Sequence, residues 1–204
     1  MHDRVDVDRV DELPAAPTGL RWVDFLGGTR NLRCYLVEGG VVRHELMAAV
    51  DDLDRVHDPV LVHAGVTVRQ DSSYALPGFY VVALDGHVPA LDGAGDAQTV
   101  ALALAVREVR RGMREALGIE LVHLHYEEKP RASSHVHQWL VPVHAEHAAG
   151  STSLMRLDLH AYLACFVFRE QRAAILAANE SLRAHFDATG TRERLDAALG
   201  SLRA

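Results

Sequence analysis

Apolar and polar residues alternate along several short stretches of this chain, and a period of two is typical of half-buried β-strands. Turn-forming residues separate these stretches from one another. Gly65 falls inside one of them, so we expect either two strands joined by a turn or one long bent strand there. The predicted strands cover residues 20–26, 32–37, 60–69, 79–84, 120–126 and 133–142.

Other stretches have apolar residues three or four positions apart, the pattern of an amphipathic helix. The clearest covers residues 97–117, and Gly118 follows it in the place where a glycine commonly ends a helix. Residues 43–55 have apolar positions at the same spacing, with acidic residues among them, so we expect a helix there too. Residues 159–186 and 192–202 predict two helices near the C-terminus.

The order of these elements predicts an α+β fold, with an antiparallel meander sheet and helices packed on one of its faces. The strands at 120–126 and 133–142 are joined by a turn and should pair antiparallel. We expect a flexible leader over residues 1–17, an α+β domain over 18–147 and a helical C-terminal extension over 148–204.

Composition narrows the class of protein. The 204 residues are enough for a domain with a substantial core, and no apolar run is long enough for a membrane span. The net charge of −7 argues against a general nucleic-acid binder, because clustered lysine and arginine hold phosphate backbones. The N-terminus lacks the basic start and apolar centre of a signal peptide. We expect a soluble cytoplasmic protein without membrane or nucleic-acid partners.

Four histidines stand at strand spacing in the second half of the chain. In the strand at 133–142, alternate side chains point to one face, so His135 and His137 share that face with Trp139. His123 and His125 are spaced in the same way on the preceding strand. A single histidine on a strand is usually just hydrogen-bonded or solvated, but two neighbouring pairs favour a chemical role.

Two of these segments resemble the histidine triad superfamily of nucleotide hydrolases and transferases. Residues 77–87 are similar to the family's Pro-Gly-His-apolar strand, which runs to an early active-site histidine, here His87, with Phe79 where a histidine often stands. His135-Val136-His137 matches the first two histidines of the signature His-φ-His-φ-His, in which φ is apolar. The resemblance covers about residues 60–144.

This resemblance implies a covalent mechanism. The middle histidine, which is His137 here, would attack the α-phosphorus of a nucleotide and form a nucleotidyl-histidine that water or another acceptor resolves. His135 would orient His137 or hold the phosphate, and His87, Ser133 and Ser134 would donate hydrogen bonds to phosphoryl oxygens. The partner would be a nucleotide or another phosphorylated small molecule, the protein a homodimer, and no cofactor would be required.

The sequence departs from the family pattern in two places. Trp139 replaces the third histidine, and an indole N–H can donate a hydrogen bond but cannot accept a proton. The family's Gly-Gln-Ser-like loop is replaced by residues 127–134, where Lys129 and Arg131 would offset two carboxylates. Gln138 should point to the opposite face unless a bulge rotates it. Our candidates for substrate binding are Ser133, Ser134, Trp139, Gln138, Lys129 and Arg131.

Two alternatives use the same residues differently. In the first, the four histidines converge on a transition metal such as zinc, and Glu127, Glu128 or His144 completes the ligand shell. In the second, the chain is a catalytically altered module that binds nucleotides without forming an adduct. The four proposed metal ligands are His123, His125, His135 and His137.

Overall fold

The computed structural model describes the backbone of four strands before residue 50 and most of the chain from residue 58 to 201. Contacts divide the chain into two compact units. The first comprises Met1–Asp58, Asp71–Pro77 and His144–Leu176, and the second comprises Pro59–Gln70, Gly78–Val143 and Ala177–Ala204. The described residues are 4–6, 21–27, 31–38, 41–49, 56, 58–71, 74–128, 135–144, 162, 166 and 168–201, with side chains only from residue 56 and not for 168–170.

The first unit contains a four-stranded sheet. Its strands are β1 (Arg4–Asp6), β2 (Arg21–Gly27), β3 (Asn31–Glu38) and β4 (Val41–Ala49), in the order β1-β4-β3-β2. β2 pairs antiparallel with β3, and β3 with β4, whereas β1 pairs parallel with β4. The strands predicted at 20–26 and 32–37 are confirmed, and β1 lies within the segment predicted as a leader. The domain boundaries stay a prediction.

The helix predicted over residues 43–55 is wrong, because Val41–Ala49 forms β4. Eight of its nine residues pair with β3, with Leu46 opposite Cys34 and Met47 opposite Arg33, and the register shifts at Arg43. Only Gly39 and Gly40 separate the two strands, and a Gly-Gly pair is typical of a hairpin turn. Strand pairing has therefore overridden a helical spacing of apolar residues. The remainder of the predicted helix, residues 50–55, lies outside the described residues.

The second unit is built on a five-stranded antiparallel sheet in the order β5-β6-β7-β9-β8. Its strands are β5 (Leu61–His63), β6 (Val66–Gln70), β7 (Tyr80–Leu84), β8 (Val122–His125) and β9 (His137–Pro142). A 3-10 helix (Leu91–Gly93) and α1 (Asp96–Glu115) lie between β7 and β8, and α2 (Phe168–Ala188) and α3 (Thr191–Ser201) follow β9. The α+β prediction is confirmed, including antiparallel pairing of β8 with β9.

Glycines stand where the sequence predicts turns and helix ends. Ala64 and Gly65 have φ of 52° and 78° between β5 and β6, so the strand pair is the correct one of the two expectations. Gly118 follows α1 with φ of 66°. Gly78, before β7, has φ of 80°, and a Cβ there would lie 2.6 Å from Ile119 Cδ1. The positive φ favours glycine there, because side chains of L-residues are strained in that region.

One face of the five-stranded sheet packs with α1 and the last two helices into the hydrophobic core. The opposite face of β7, β9 and β8 carries His137, Trp139 and the histidines of β8, as their pairing requires. Among the helices that the structure describes, none combines the length and the hydropathy that a membrane span requires. The core includes Val66, Val68, Tyr80, Val82, Leu84, Leu102, Ala105, Val109, Met113, Leu140, Leu182, Phe186 and Leu195.

A buried carboxylate joins α1 to α3. Glu108 is 1% exposed, and its Oε2 accepts hydrogen bonds from Arg111 Nη1 at 3.0 Å and from Arg194 Nη2 at 2.8 Å. Arg107 Nε donates to Oε1 at 3.2 Å. Burial raises the pKa of the Glu108 carboxyl, but the hydrogen bonds and charges of these arginines outweigh it and hold the pKa below its ordinary value. The carboxylate is therefore ionised when the protein is folded.

We expect Glu108→Gln to lower the free energy of unfolding by about 2 kcal/mol at pH 7, because it removes the buried charge to which three partly exposed arginines donate hydrogen bonds. A carboxylate with a depressed pKa stabilises the fold above its unfolded pKa, and this contribution is lost as the pH falls through the folded pKa. The difference between variant and wild type should therefore shrink below about pH 4. Urea unfolding at several pH values measures it.

Glu115→Gln is the matched control for this measurement. Glu115 lies on the same helix, is half exposed and faces His185 Nε2 at 3.7 Å. Its substitution should change the free energy of unfolding by less than about 0.5 kcal/mol. Equal effects at residues 108 and 115 would contradict the role assigned to the buried carboxylate.

Candidate functional site

The strand β9 brings the candidate side chains together through its pairing on both sides. His137 lies opposite Ala83 of β7, and Trp139 lies opposite both Val81 of β7 and His125 of β8. Opposed residues in antiparallel strands point to the same face, so His125, His137 and Trp139 share one face of the sheet. We call this side of β7, β9 and β8 the histidine face.

His135 precedes β9 and is held by backbone groups at both ring nitrogens. The Val88 N–H donates to its Nδ1 at 3.4 Å, so Nδ1 accepts and the ring proton is on Nε2. Nε2 then donates to the Leu84 carbonyl oxygen at 2.7 Å. Both nitrogens are occupied. Of the two roles predicted for His135, this geometry suits orientation of the site better than contact with a phosphate.

His137 has one nitrogen bound and one open. Its Nδ1 lies 2.6 Å from the backbone oxygen of His135, and a carbonyl can only accept, so Nδ1 carries the ring proton. The lone pair is therefore on Nε2. No group in the described part of the chain hydrogen-bonds to that atom, and the side chain is half-buried. A neutral imidazole fixed in this tautomer has the form that a nucleophile requires.

Trp139 is the centre of an aromatic cluster. Its ring stacks on His125, with centroids 5.3 Å apart and planes 12° from parallel. His137 lies at the same centroid distance of 5.3 Å but is tilted by 54°, and Phe79 approaches edge-on at 6.5 Å. The indole thus lies against two imidazoles, one stacked and one tilted.

The other predicted site residues are placed differently. His87 is exposed and stacks on His135, with centroids 6.1 Å apart and planes 14° from parallel. Gln138 pairs with the fully buried Val82 without a register shift, so it points to the face opposite His137, as expected in the absence of a bulge. The remaining candidates, Ser133, Ser134, Lys129 and Arg131, lie outside the described residues.

The zinc alternative does not fit the described part of the chain, in which no three His, Cys, Asp or Glu side chains are placed to hold a metal ion. His135 has both nitrogens on backbone groups, and His125 is stacked on the indole. His123 lies opposite Val141, further along the sheet from His137 than His125, which lies opposite Trp139. Of the proposed additional ligands, His144 Nε2 bonds to the Pro77 oxygen at 3.0 Å, and Glu128 Oε1 accepts from the Leu91 N–H at 3.0 Å.

Sequence reasoning placed His125 among the metal ligands and missed its position beside Trp139. The spacing of the histidines on β8 indicated that His125 shares a face with His123. The pairing of His125 with Trp139 depends on the register between β8 and β9, which no local signal specifies.

A cavity of about 350 Å³ lies on the helix side of the five-stranded sheet, between the β5–β6 turn, α1 and α3. None of the candidate histidines lines it. Its lining residues are Ala64, Ala97, Gln98, Ala101, Asp196, Leu199 and Gly200.

No protein-family model matches the sequence, and no curated protein does. The structure is similar to a Zn-bound histidine triad family protein from Mycobacterium smegmatis, with 14% identity, a TM-score of 0.48, and coverage of 65% of this chain and 88% of that one. A hypothetical histidine triad nucleotide-binding protein from Sulfolobus tokodaii is 14% identical, with a TM-score of 0.43 and coverage of 64% of this chain and 86% of that one. A Hit-like protein from Bartonella henselae is 15% identical, with a TM-score of 0.42 and coverage of 60% of this chain and 86% of that one. These likenesses are distant and assign no role to any residue of this chain.

The hydrogen bonds at the rings of His135 and His137 predict opposite tautomers for these two histidines. At about pH 8, where free imidazoles are neutral, long-range ¹H–¹⁵N spectra should show the His137 proton on Nδ1 and the His135 proton on Nε2. Each signal set can be assigned by its loss in His137→Gln or His135→Gln. A His137 proton on Nε2 would contradict the open lone pair.

Proposed function

We propose that this chain cleaves or transfers a nucleotide, or a related phosphate ester, by way of a covalent intermediate on His137. The observation that carries the proposal is the hydrogen bond between His137 Nδ1 and the His135 backbone oxygen. This bond directs the lone pair to Nε2, on an atom to which no described group bonds. The resemblance of His135-Val136-His137 to the histidine triad signature supports the same residue.

The reaction suits a neutral imidazole. In the first step Nε2 forms a bond to phosphorus while the bond from phosphorus to the leaving group breaks. In the second step water or another acceptor attacks the phosphorus, and the bond to Nε2 breaks. The cationic phospho-imidazole formed in between keeps its Nδ1–H against the His135 oxygen, which favours the developing positive charge.

The surrounding residues orient the His137 ring and donate hydrogen bonds to the phosphoryl oxygens. His135 orients the nucleophile through its carbonyl, and its own ring is held by Leu84 and Val88. His87 is exposed beside His135 and is our donor to a phosphoryl oxygen. Ser133, Ser134, Lys129 and Arg131 stay predictions as further donors, as do the homodimer and the cytoplasmic location.

A second candidate is a module that binds nucleotides without reacting. The observation that favours it is Trp139, which stands where the family signature has a histidine and cannot transfer a proton. The half-buried aromatic cluster would then serve as a stacking surface for a base. The formation of an adduct distinguishes the two candidates.

Incubation of the protein with labelled nucleoside di- and triphosphates should produce a phosphoramidate on His137, detected by mass spectrometry after a rapid quench. His137→Asn should abolish the adduct and lower turnover by about 10³-fold or more, because it removes the nucleophile. Circular dichroism and urea unfolding check that the variant keeps its fold.

His123→Asn is the matched control, since His123 lies on the histidine face but opposite Val141, outside the site. It should form the adduct at the wild-type rate. Nucleotide binding without any adduct in the wild-type protein would favour the binding module. An adduct that persists in His137→Asn would place the nucleophile on another residue.

A further inference from the structure

We propose that His125, in its protonated form, is the acid that protonates the leaving group when His137 attacks phosphorus. This inference rests on the proposed function, whose first step expels an oxygen from phosphorus. An alkoxide is a poor leaving group in water, and a positioned acid typically accelerates such a step by about 10²–10⁴-fold. The site therefore needs a side chain with a proton to give.

The residues nearest to the nucleophile cannot supply that proton. The His137 Nδ1–H is bound to the His135 oxygen and must stay there while Nε2 reacts. The His135 Nε2–H is bound to the Leu84 oxygen. The indole N–H of Trp139 is a hydrogen-bond donor but not an acid at physiological pH. None of these three rings can act as the acid.

His125 is the imidazole that the register of β8 places beside this group. It lies opposite Trp139, on the histidine face with His137, and its ring stacks on the indole at 5.3 Å. The centroid of His137 is also 5.3 Å from the indole, so the two imidazoles are separated by no more than twice that distance. The proposal requires that a phosphorus bound at His137 Nε2 directs its leaving oxygen toward β8 and the ring of His125.

The ring nitrogens of His125 are available for this work. In the described part of the chain neither nitrogen has a hydrogen-bond partner, and the side chain is only half-buried. The neighbouring histidines differ from it. His123 Nε2 is buried, and the ring of His87 stacks on His135 and not on Trp139.

The stack also explains the tryptophan. A cation within about 6 Å of an indole face is attracted by the negative face of the ring, and tryptophan is the best of the aromatic residues in this respect. The nearly parallel rings of His125 and Trp139 therefore suit an imidazolium. Trp139 stands at the position of the family's third histidine. In our proposal it does not carry the proton itself but stabilises the protonated ring of His125.

In the proposed cycle the bonds formed and broken and the protons moved balance, with water as the only reactant besides the phosphate ester. As Nε2 of His137 bonds to phosphorus, the bond to the leaving oxygen breaks, and the proton of His125 moves to that oxygen. His125 is then neutral. When water attacks the phosphorus, His125 accepts the proton of the water, and the bond to Nε2 breaks. The cycle ends with His137 neutral and His125 protonated, as it began.

The test compares two leaving groups on one nucleotide. The probes are the methyl and the 4-nitrophenyl esters of adenosine, guanosine, cytidine and uridine 5′-monophosphates. Methoxide needs a proton to depart, whereas nitrophenolate leaves as a stable anion. With enzyme in excess, release of the leaving group in a single turnover reports only the first step, before His125 acts as the base for water. We expect His125→Gln to slow single-turnover release of methanol by about 10²-fold or more and to change that of nitrophenolate only a few-fold.

Two further variants make the result specific. His125→Phe keeps an aromatic ring against Trp139 but carries no proton, so it should show the same selective loss even if His125→Gln disturbs packing. His123→Gln, with the same substitution on the same strand and face, should hydrolyse both esters at the wild-type rate.

Each remaining outcome decides a separate claim. If both His125 variants slow the single-turnover release of the two leaving groups equally, or slow neither, His125 is not the acid. If the wild-type protein cleaves only the nitrophenyl esters, it has no acid for the leaving group, and the inference fails while the proposed function stands. If the wild-type protein cleaves neither ester of any of the four nucleotides and forms no adduct, the proposed function itself fails.

Discussion

The register of β9 with its two neighbours is the constraint on which the candidate site depends. β9 is hydrogen-bonded to β7 and to β8, and this pairing sets His137 opposite Ala83 and Trp139 opposite His125. A shift of one residue would turn both aromatic side chains toward the helices and bring Gln138 to the histidine face. The burial of Leu140, which is fully enclosed in the core, opposes such a shift because it would be exposed by it.

Three imidazoles that look equivalent in the sequence differ in how many of their ring nitrogens are hydrogen-bonded to backbone groups. His135 has both nitrogens on the main chain, so its ring is fixed and its carbonyl directs the next histidine. His137 has one nitrogen fixed and one open. His125 has neither nitrogen bound within the described residues and rests on the indole of Trp139. In our proposals the same side chain thus provides a support, a nucleophile and an acid, according to what surrounds each ring.

Local patterns were sufficient for most of the elements. Alternation predicted every described strand except β1 and β4, Gly65 indicated a turn or a bulge between β5 and β6, and helical spacing predicted α1 to within a few residues of its observed ends. The helix predicted over residues 43–55 failed because its apolar spacing suited two structures at once. Pairing of eight of the nine β4 residues with β3 favoured the strand over the helix. The spacing of apolar residues does not show whether a partner strand is available, so it could not distinguish a strand from a helix here.

The sequence by itself determined the α+β class and the pair of histidines two residues apart at the start of β9, with His135 just before the strand and His137 its first residue. It also indicated that Trp139 breaks the signature. Only the tertiary structure decided which residue lies beside that tryptophan and which nitrogen of each ring is open. Those facts depend on the register between strands and on carbonyl and N–H groups of residues far away in sequence, such as Leu84 and Val88, and the local sequence contains no information on either.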